Sequence, residues 1–181
     1  MENNPAQLLI NEHAIIKKAE SLVQSMSLLW MKDQEKYKSM VAKLLYFFKE
    51  YSDRFHHYKE EKILFPEMRN HPDFKLDEII DELEEHHKMF REYTQEIKES
   101  IEKDQYDKAQ NILVRYIHQL LDHIAIEDDE LFSMAENLFS ETQFENMYFS
   151  FKDIDRELGE MRKKELEKIP LELISMFNNW F

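Results

Sequence analysis

Residues 56–66 read HHYKEEKILFP and place a histidine and a carboxylate four positions apart, His56 and Glu60. On a helix that spacing puts both side chains on one face, about one turn apart. The arrangement returns at 123–132 as HIAIEDDELF. His56 pairs with His123, Glu60 with Glu127, Glu61 with Asp128, Leu64 with Leu131 and Phe65 with Phe132, each pair 67 positions apart. Two copies of H-x-x-x-E-[ED]-x-x-L-F constrain the fold strongly. Carboxylates on an inward face are costly unless something neutralises them, so two such faces predict two halves of one metal site.

The rest of the chain predicts only helices. With 1 Gly and 4 Pro in 181 residues, it lacks the residues that hairpins and tight turns use. Apolar residues make up 43%, enough for one sizeable core despite 34% charge. Asn4-Pro5 predicts an N-cap and first turn, with a helix running to about Met31. Asp33 caps a second helix to about Phe65, where Pro66 is expected to end it. The Asn70-His71-Pro72-Asp73 segment predicts a loop. A third helix spans roughly Lys75 to Lys103 and a fourth Lys108 to Leu138, with inward positions at Leu83, Phe90, Ile97, Tyr116 and Leu120. Four long helices with short connections predict an all-α, up-down-up-down four-helix bundle over residues 1–140. Ser140 to Gln143 is a capping box. It opens a C-terminal helical extension over 141–181, with a break at Gly159, a boundary at Ile169-Pro170 and an apolar tail from Leu171 to Phe181. The extension is expected to cover one side of the bundle or to form a homodimer contact.

The repeat reaches the first and third helices as well. Around His13, apolar residues stand at −4 (Leu9), +3 (Ile16) and +10 (Val23). Around His87 the same offsets give Leu83, Phe90 and Ile97, whereas around His86 they give Glu82, Met89 and Glu96. His87 is therefore the better match, and His86 stands as the alternative if the register shifts by one. Each helix pair contributes two histidines and one glutamate. Imidazole suits iron, zinc or copper, and carboxylates can bridge two metals. His57 adjoins a better-placed histidine and is read as a non-ligand. His71 and His118 are read as surface residues, and Glu61 and Asp128 as neighbours of the site or surface residues.

Charge and composition exclude other functions. A net charge of −14 with no basic patch argues against nucleic acid and anionic membranes. The absence of cysteine removes disulfides, thiolate catalysis and cysteine-ligated clusters. The N-terminus lacks a basic stretch followed by an apolar run, and no segment approaches a membrane span, so a cytoplasmic protein is expected.

The elements Glu12-His13, H-x-x-K-E-E-x-x-L-F-P from His56, Glu85-His86-His87 and H-x-x-x-E-x-x-x-L-F from His123 appear in that order. With them the sequence resembles the hemerythrin-like, histidine–histidine–glutamate cation-binding bundles over about residues 5–140. The resemblance implies a non-haem di-iron centre. His13 and His56 would hold one iron, His87 and His123 the other, with Glu60 and Glu127 bridging; zinc or manganese would suit the same ligands. The chain departs from the oxygen carriers of that family. Leu83 stands where they have a further histidine, and Glu127 lies four residues after its histidine where they have an aspartate five after. Both departures resemble the iron-centre repair and nitric-oxide stress branch, which often carries a cysteine-containing segment that this chain lacks. The expected function is binding or sensing of O2 or NO, or iron handling. The alternative is a di-iron enzyme, an oxidase or a consumer of peroxide or NO, with Tyr51 or Tyr116 as a redox or proton donor. The near-symmetry of the two halves and the lack of a substrate-binding signature favour binding.

Overall fold

A computed structural model describes residues 3–179. Met1 and Glu2, and Trp180 and Phe181 of the expected apolar tail, lie outside the described residues. Among those described there is no strand, and no helix is long and apolar enough to cross a membrane.

The first rod comprises α1 (Pro5–Ile16), α2 (Ala19–Ser25) and α3 (Leu29–Lys32), joined by a bend and a short 3₁₀ turn rather than one continuous helix to Met31. Asn4 caps α1 by accepting from the Gln7 N–H at 3.0 Å. The second rod begins at α4 (Gln34–Phe47), where Asp33 accepts from the Lys36 N–H at 2.9 Å. It then widens into π-helical turns over Phe48–His57 and Glu60–Leu64 and ends as α5 (Phe65–Asn70). Pro66 does not stop this rod. It occupies the first turn of α5, where a missing N–H costs little. The third rod is α6 (Asp77–Glu102), and the fourth is α7 (Tyr106–Ile126), a wide turn over Glu127–Leu131, and α8 (Phe132–Leu138).

Two apolar clusters prove the alternation of direction. The first rod passes from Leu9 in one cluster to Ile16 and Val23 in the other; the second runs from Tyr37 and Phe47 back to Phe65 and Met68. The third repeats the first order, Leu83 then Phe90 and Ile97, and the fourth the second order, Leu113 and Leu120 then Leu131 and Ala135. The bundle is therefore up-down-up-down. Between its two apolar layers every rod presents polar residues: His13, then His56 and Glu60, then His87, then His123 and Glu127.

Beyond the bundle, Ser140 and Gln143 form the capping box of α9 (Glu141–Leu158). Phe144, Met147 and Phe151 of α9 enter one apolar cluster. The chain breaks at Gly159, whose φ of 103° lies where side-chain-bearing residues are strained. It returns through α10 (Glu160–Leu166) and α11 (Ile169–Asn178), which add Leu166 and Leu173 to the other cluster.

Candidate metal centre

The two wide turns at Glu60–Leu64 and Glu127–Leu131 each begin on a glutamate of the repeat. In both, the N–H five residues on, Phe65 or Phe132, returns to the glutamate carbonyl. Such turns are uncommon and concentrate at functional sites. Here they bring a glutamate, and the histidine one turn earlier, into the layer between the apolar clusters.

The six residues singled out in the sequence meet in that layer, each at most 1% exposed. His13 Nε2 lies 2.8 Å from His56 Nε2 and 3.2 Å from Glu127 Oε2, and His56 Nε2 lies 3.4 Å from Glu60 Oε1. On the other side His87 Nε2 lies 3.2 Å from His123 Nε2, which is 3.2 Å from Glu127 Oε1. Glu60 Oε2 is 3.7 Å from His87 Nε2. Each carboxylate thus turns one oxygen to each histidine pair.

The outer hydrogen bonds repeat too. His13 Nδ1 is 2.7 Å from Asp128, which is held by Lys17 at 2.8 Å. His87 Nδ1 is 2.9 Å from Glu61, which is held by Arg91 at 2.6 Å. Each half therefore supplies the carboxylate that orients a histidine of the other half. A carboxylate accepts only, so Nδ1 carries a proton, and in the neutral ring Nε2 keeps its lone pair facing inward. His13 and Phe132 stack at 5.7 Å between centroids, and His87 and Phe65 at 5.9 Å.

The symmetry breaks behind the remaining two histidines. His56 Nδ1 donates to Glu12 Oε2 at 3.0 Å. The position equivalent to Glu12 is His86, whose Nδ1 lies 3.3 Å from His123 Nδ1. The structure places His87 in the inner layer and His86, a quarter exposed, behind it. Glu12 also holds buried Lys59 at 2.8 Å, and Lys59 Nζ lies 2.7 Å from Asp155 Oδ1 in α9. The latter is an ion pair off the hydrogen-bonding direction, since Asp155 Oδ1 has no hydrogen-bond partner. Lys163 pairs with Glu12 and with Asp155, the latter at 2.7 Å. The extension thus reaches the hydrogen-bond chain behind His56.

Electrostatics separate the metal-free groups. Burial raises the Glu60 carboxyl well above its ordinary value, and the charge of Glu127 raises it further. Burial also opposes the charge on Glu127, but His123 and His13 beside it hold it well below the usual range. Burial and the charge of His13 push His56 down to about 3. Burial, then His57 and His123, keep His87 well below 6.5. His13 moves the other way: burial lowers it, but Asp128 and Glu127 outweigh burial and raise it.

These donors fit metal. All four oxygens of Glu60 and Glu127 are buried without a hydrogen-bond partner, an expensive state unless a cation meets them. Two imidazole lone pairs face each other at 2.8 Å across His13 and His56. Nitrogen donors about 2.1 Å from one ion and at right angles to each other stand roughly 3 Å apart, near this spacing and the 3.2 Å of His87 and His123. His13, His56, Glu60 and Glu127 form one set of groups able to hold an ion. A second set contains His57 together with His87 and His123.

His57, Lys59, Asp155 and Lys163 are the functional neighbours that sequence reasoning missed. From sequence His57 reads as a non-ligand beside the better-placed His56, yet it is 2% exposed and stacks on His87 at 3.9 Å. The repeat held a signal for it: the equivalent of His57 is Ile124, an inward residue. His71 takes part in no metal-ligating set, and its ring meets Phe139 edge-on at 5.5 Å. Tyr51 donates to Glu167 at 3.3 Å, and Tyr116 packs on Phe48 and Phe90.

Residues 4–135 match the family described as Hemerythrin HHE cation binding domain. Comparison with curated proteins and with solved structures gives no match.

Proposed function

This chain belongs to the hemerythrin HHE cation-binding family, and we propose that it holds two iron ions in a dinuclear centre that binds O2 or NO reversibly. His13 and His56 would hold one ion, His87 and His123 the other, and Glu60 and Glu127 would bridge. The observation that carries this is the division of each carboxylate between the two histidine pairs, with all four oxygens buried and unpaired. Bound iron supplies an electron-rich position at which a small ligand coordinates.

The chain's own groups do the rest. Asp128, Glu12 and Glu61 each accept from an Nδ1–H and so keep the Nε2 of His13, His56 and His87 free to ligate. The buried bundle walls exclude bulk water from the inner layer. Glu12 gives His56 an anionic partner, while His123 has only the imidazole of His86. An anionic partner makes an imidazole a stronger donor. The two ions would therefore differ, the His13–His56 position being the more electron-rich.

Absorption spectroscopy of the reduced, iron-loaded chain tests this. A charge-transfer band that appears on O2 or NO addition and disappears on gas removal is expected. Multiple-turnover consumption of peroxide or NO, lost in His56→Ala, would replace this function with an enzymatic one.

A further inference from the structure

A cleft of about 210 Å³ opens against His57, whose ring stacks on His87 of the second histidine pair. Phe48, Phe90 and Tyr116 contribute its buried walls, the exposed Gln95 marks its solvent side, and buried His57 lies at its inner side. Arg91 lines it as well, tied to Asp53 at 2.7 Å and to Glu61 at 2.6 Å, so one side is fixed by the same carboxylate that orients His87.

His57 does not have the geometry of a ligand. The rings of His13 and His56 cross at 62°, and those of His87 and His123 at 68°, with their Nε2 atoms 2.8 and 3.2 Å apart. His57 instead lies nearly parallel to His87, at 15° and 3.9 Å between centroids. Imidazole lone pairs lie in the ring plane, and two stacked, near-parallel planes do not converge on one ion. A ring nitrogen of His57 nevertheless lies within 4.8 Å of one on His87 and one on His123. Its Nδ1 is buried with no hydrogen-bond partner, the nearest carboxylate oxygen, on Asp53, being 3.5 Å away. A buried polar atom left unpaired is costly, and a small ligand arriving here could relieve that cost. In the other half the same place is Ile124, which offers no polar atom.

We propose that this cleft is the approach path of the small ligand to the His87–His123 position, and that His57 is a positioning group that hydrogen-bonds the ligand there without binding metal. The proposal rests on the dinuclear function above and makes the two positions unequal: the second is the open one.

The test uses the full iron-loaded chain, with azide on the oxidised form and NO on the reduced form. His57→Phe, His57→Gln and Gln95→Trp are compared with wild type for iron content, probe affinity, association rate and the vibrational frequency of bound azide. Two irons per chain are expected throughout. His57→Phe should weaken azide by about tenfold, the loss of one hydrogen bond, and shift its frequency. His57→Gln, which keeps a donor, should recover most of the affinity. Gln95→Trp should slow association by about tenfold at unchanged iron content.

A fall to one iron in His57→Phe or His57→Gln would make His57 a ligand and overturn the proposal. Unchanged affinity, frequency and association rate in the variants would also overturn it. If His57→Phe does not fold, His57→Gln and Gln95→Trp decide on the same criteria. A wild type that holds two irons but takes up neither probe would refute the gas-binding function itself, and the proposal with it. Normal binding by wild type with unaffected variants refutes the proposal alone.

Discussion

Replacing Asp155 by Ala removes a charge that the extension sends into the bundle. Lys59 is 0% exposed and Asp155 1% exposed, with Lys59 Nζ 2.7 Å from Asp155 Oδ1. Breaking a buried pair by deleting one partner costs roughly 3–5 kcal/mol, because the other charge stays buried. Lys59 keeps Glu12 at 2.8 Å and the Phe55 carbonyl at 2.9 Å, which places the loss at the lower end, about 3 kcal/mol. For a chain of this size that corresponds to a fall of about 6–12 °C in Tm. Thermal unfolding of the metal-free protein, followed by circular dichroism, reads it directly. Combining Lys59→Met with Asp155→Leu removes both charges and leaves Glu12 with Lys163, so the double variant should melt above Asp155→Ala. A Tm within about 1 °C of wild type for Asp155→Ala, or a double variant less stable than Asp155→Ala, would refute the buried-charge argument.

Further outcomes follow from the same geometry. Glu60→Ala and Glu127→Ala should each lose most of the bound metal by elemental analysis, since each removes an oxygen from both histidine pairs; full metal content in both would contradict the bridging role. Asp128→Ala should weaken metal binding by about 10–100-fold in a chelator competition, because His13 loses the partner that fixes its tautomer. The metal-free protein should lose stability as pH falls below 6.5. His56, His57 and His87 are held below that value in the fold, so the unfolded chain binds their protons first. His13 and Glu60 are shifted upward and oppose this, two groups against three. Denaturant midpoints that rise between pH 6.5 and 5 would contradict the sign.

The all-helical bundle and the meeting of the six candidate ligands were legible because one spacing recurs at a fixed offset. His-x-x-x-Glu needs only helical geometry to place both groups inward, and the apolar offsets around His87 distinguished it from His86. Backbone irregularity was not legible. The wide turns at Glu60 and Glu127 depend on tertiary packing, and no local residue type announces them. For the same reason Pro66 looked like a stop, although a rod that has just widened accommodates it. The near-symmetry inferred from the repeat holds for Asp128 and Glu61 but fails at Glu12 against His86 and at His57 against Ile124. Glu12 and His86 stand inside the motif elements, but what each of these four positions does comes from what it touches. Asp155 and Lys163 lie in a run of charged residues that reads as surface, and they are buried only because Lys59 and Glu12 stand opposite them.

Anomalous diffraction at the iron edge, from crystals of iron-loaded protein, tests the central claim most directly. Two iron peaks are expected in the layer between the apolar clusters, one at His13 and His56 and one at His87 and His123, with Glu60 and Glu127 reaching both. A single peak, peaks outside that layer, or no iron beside those histidines would contradict the dinuclear account.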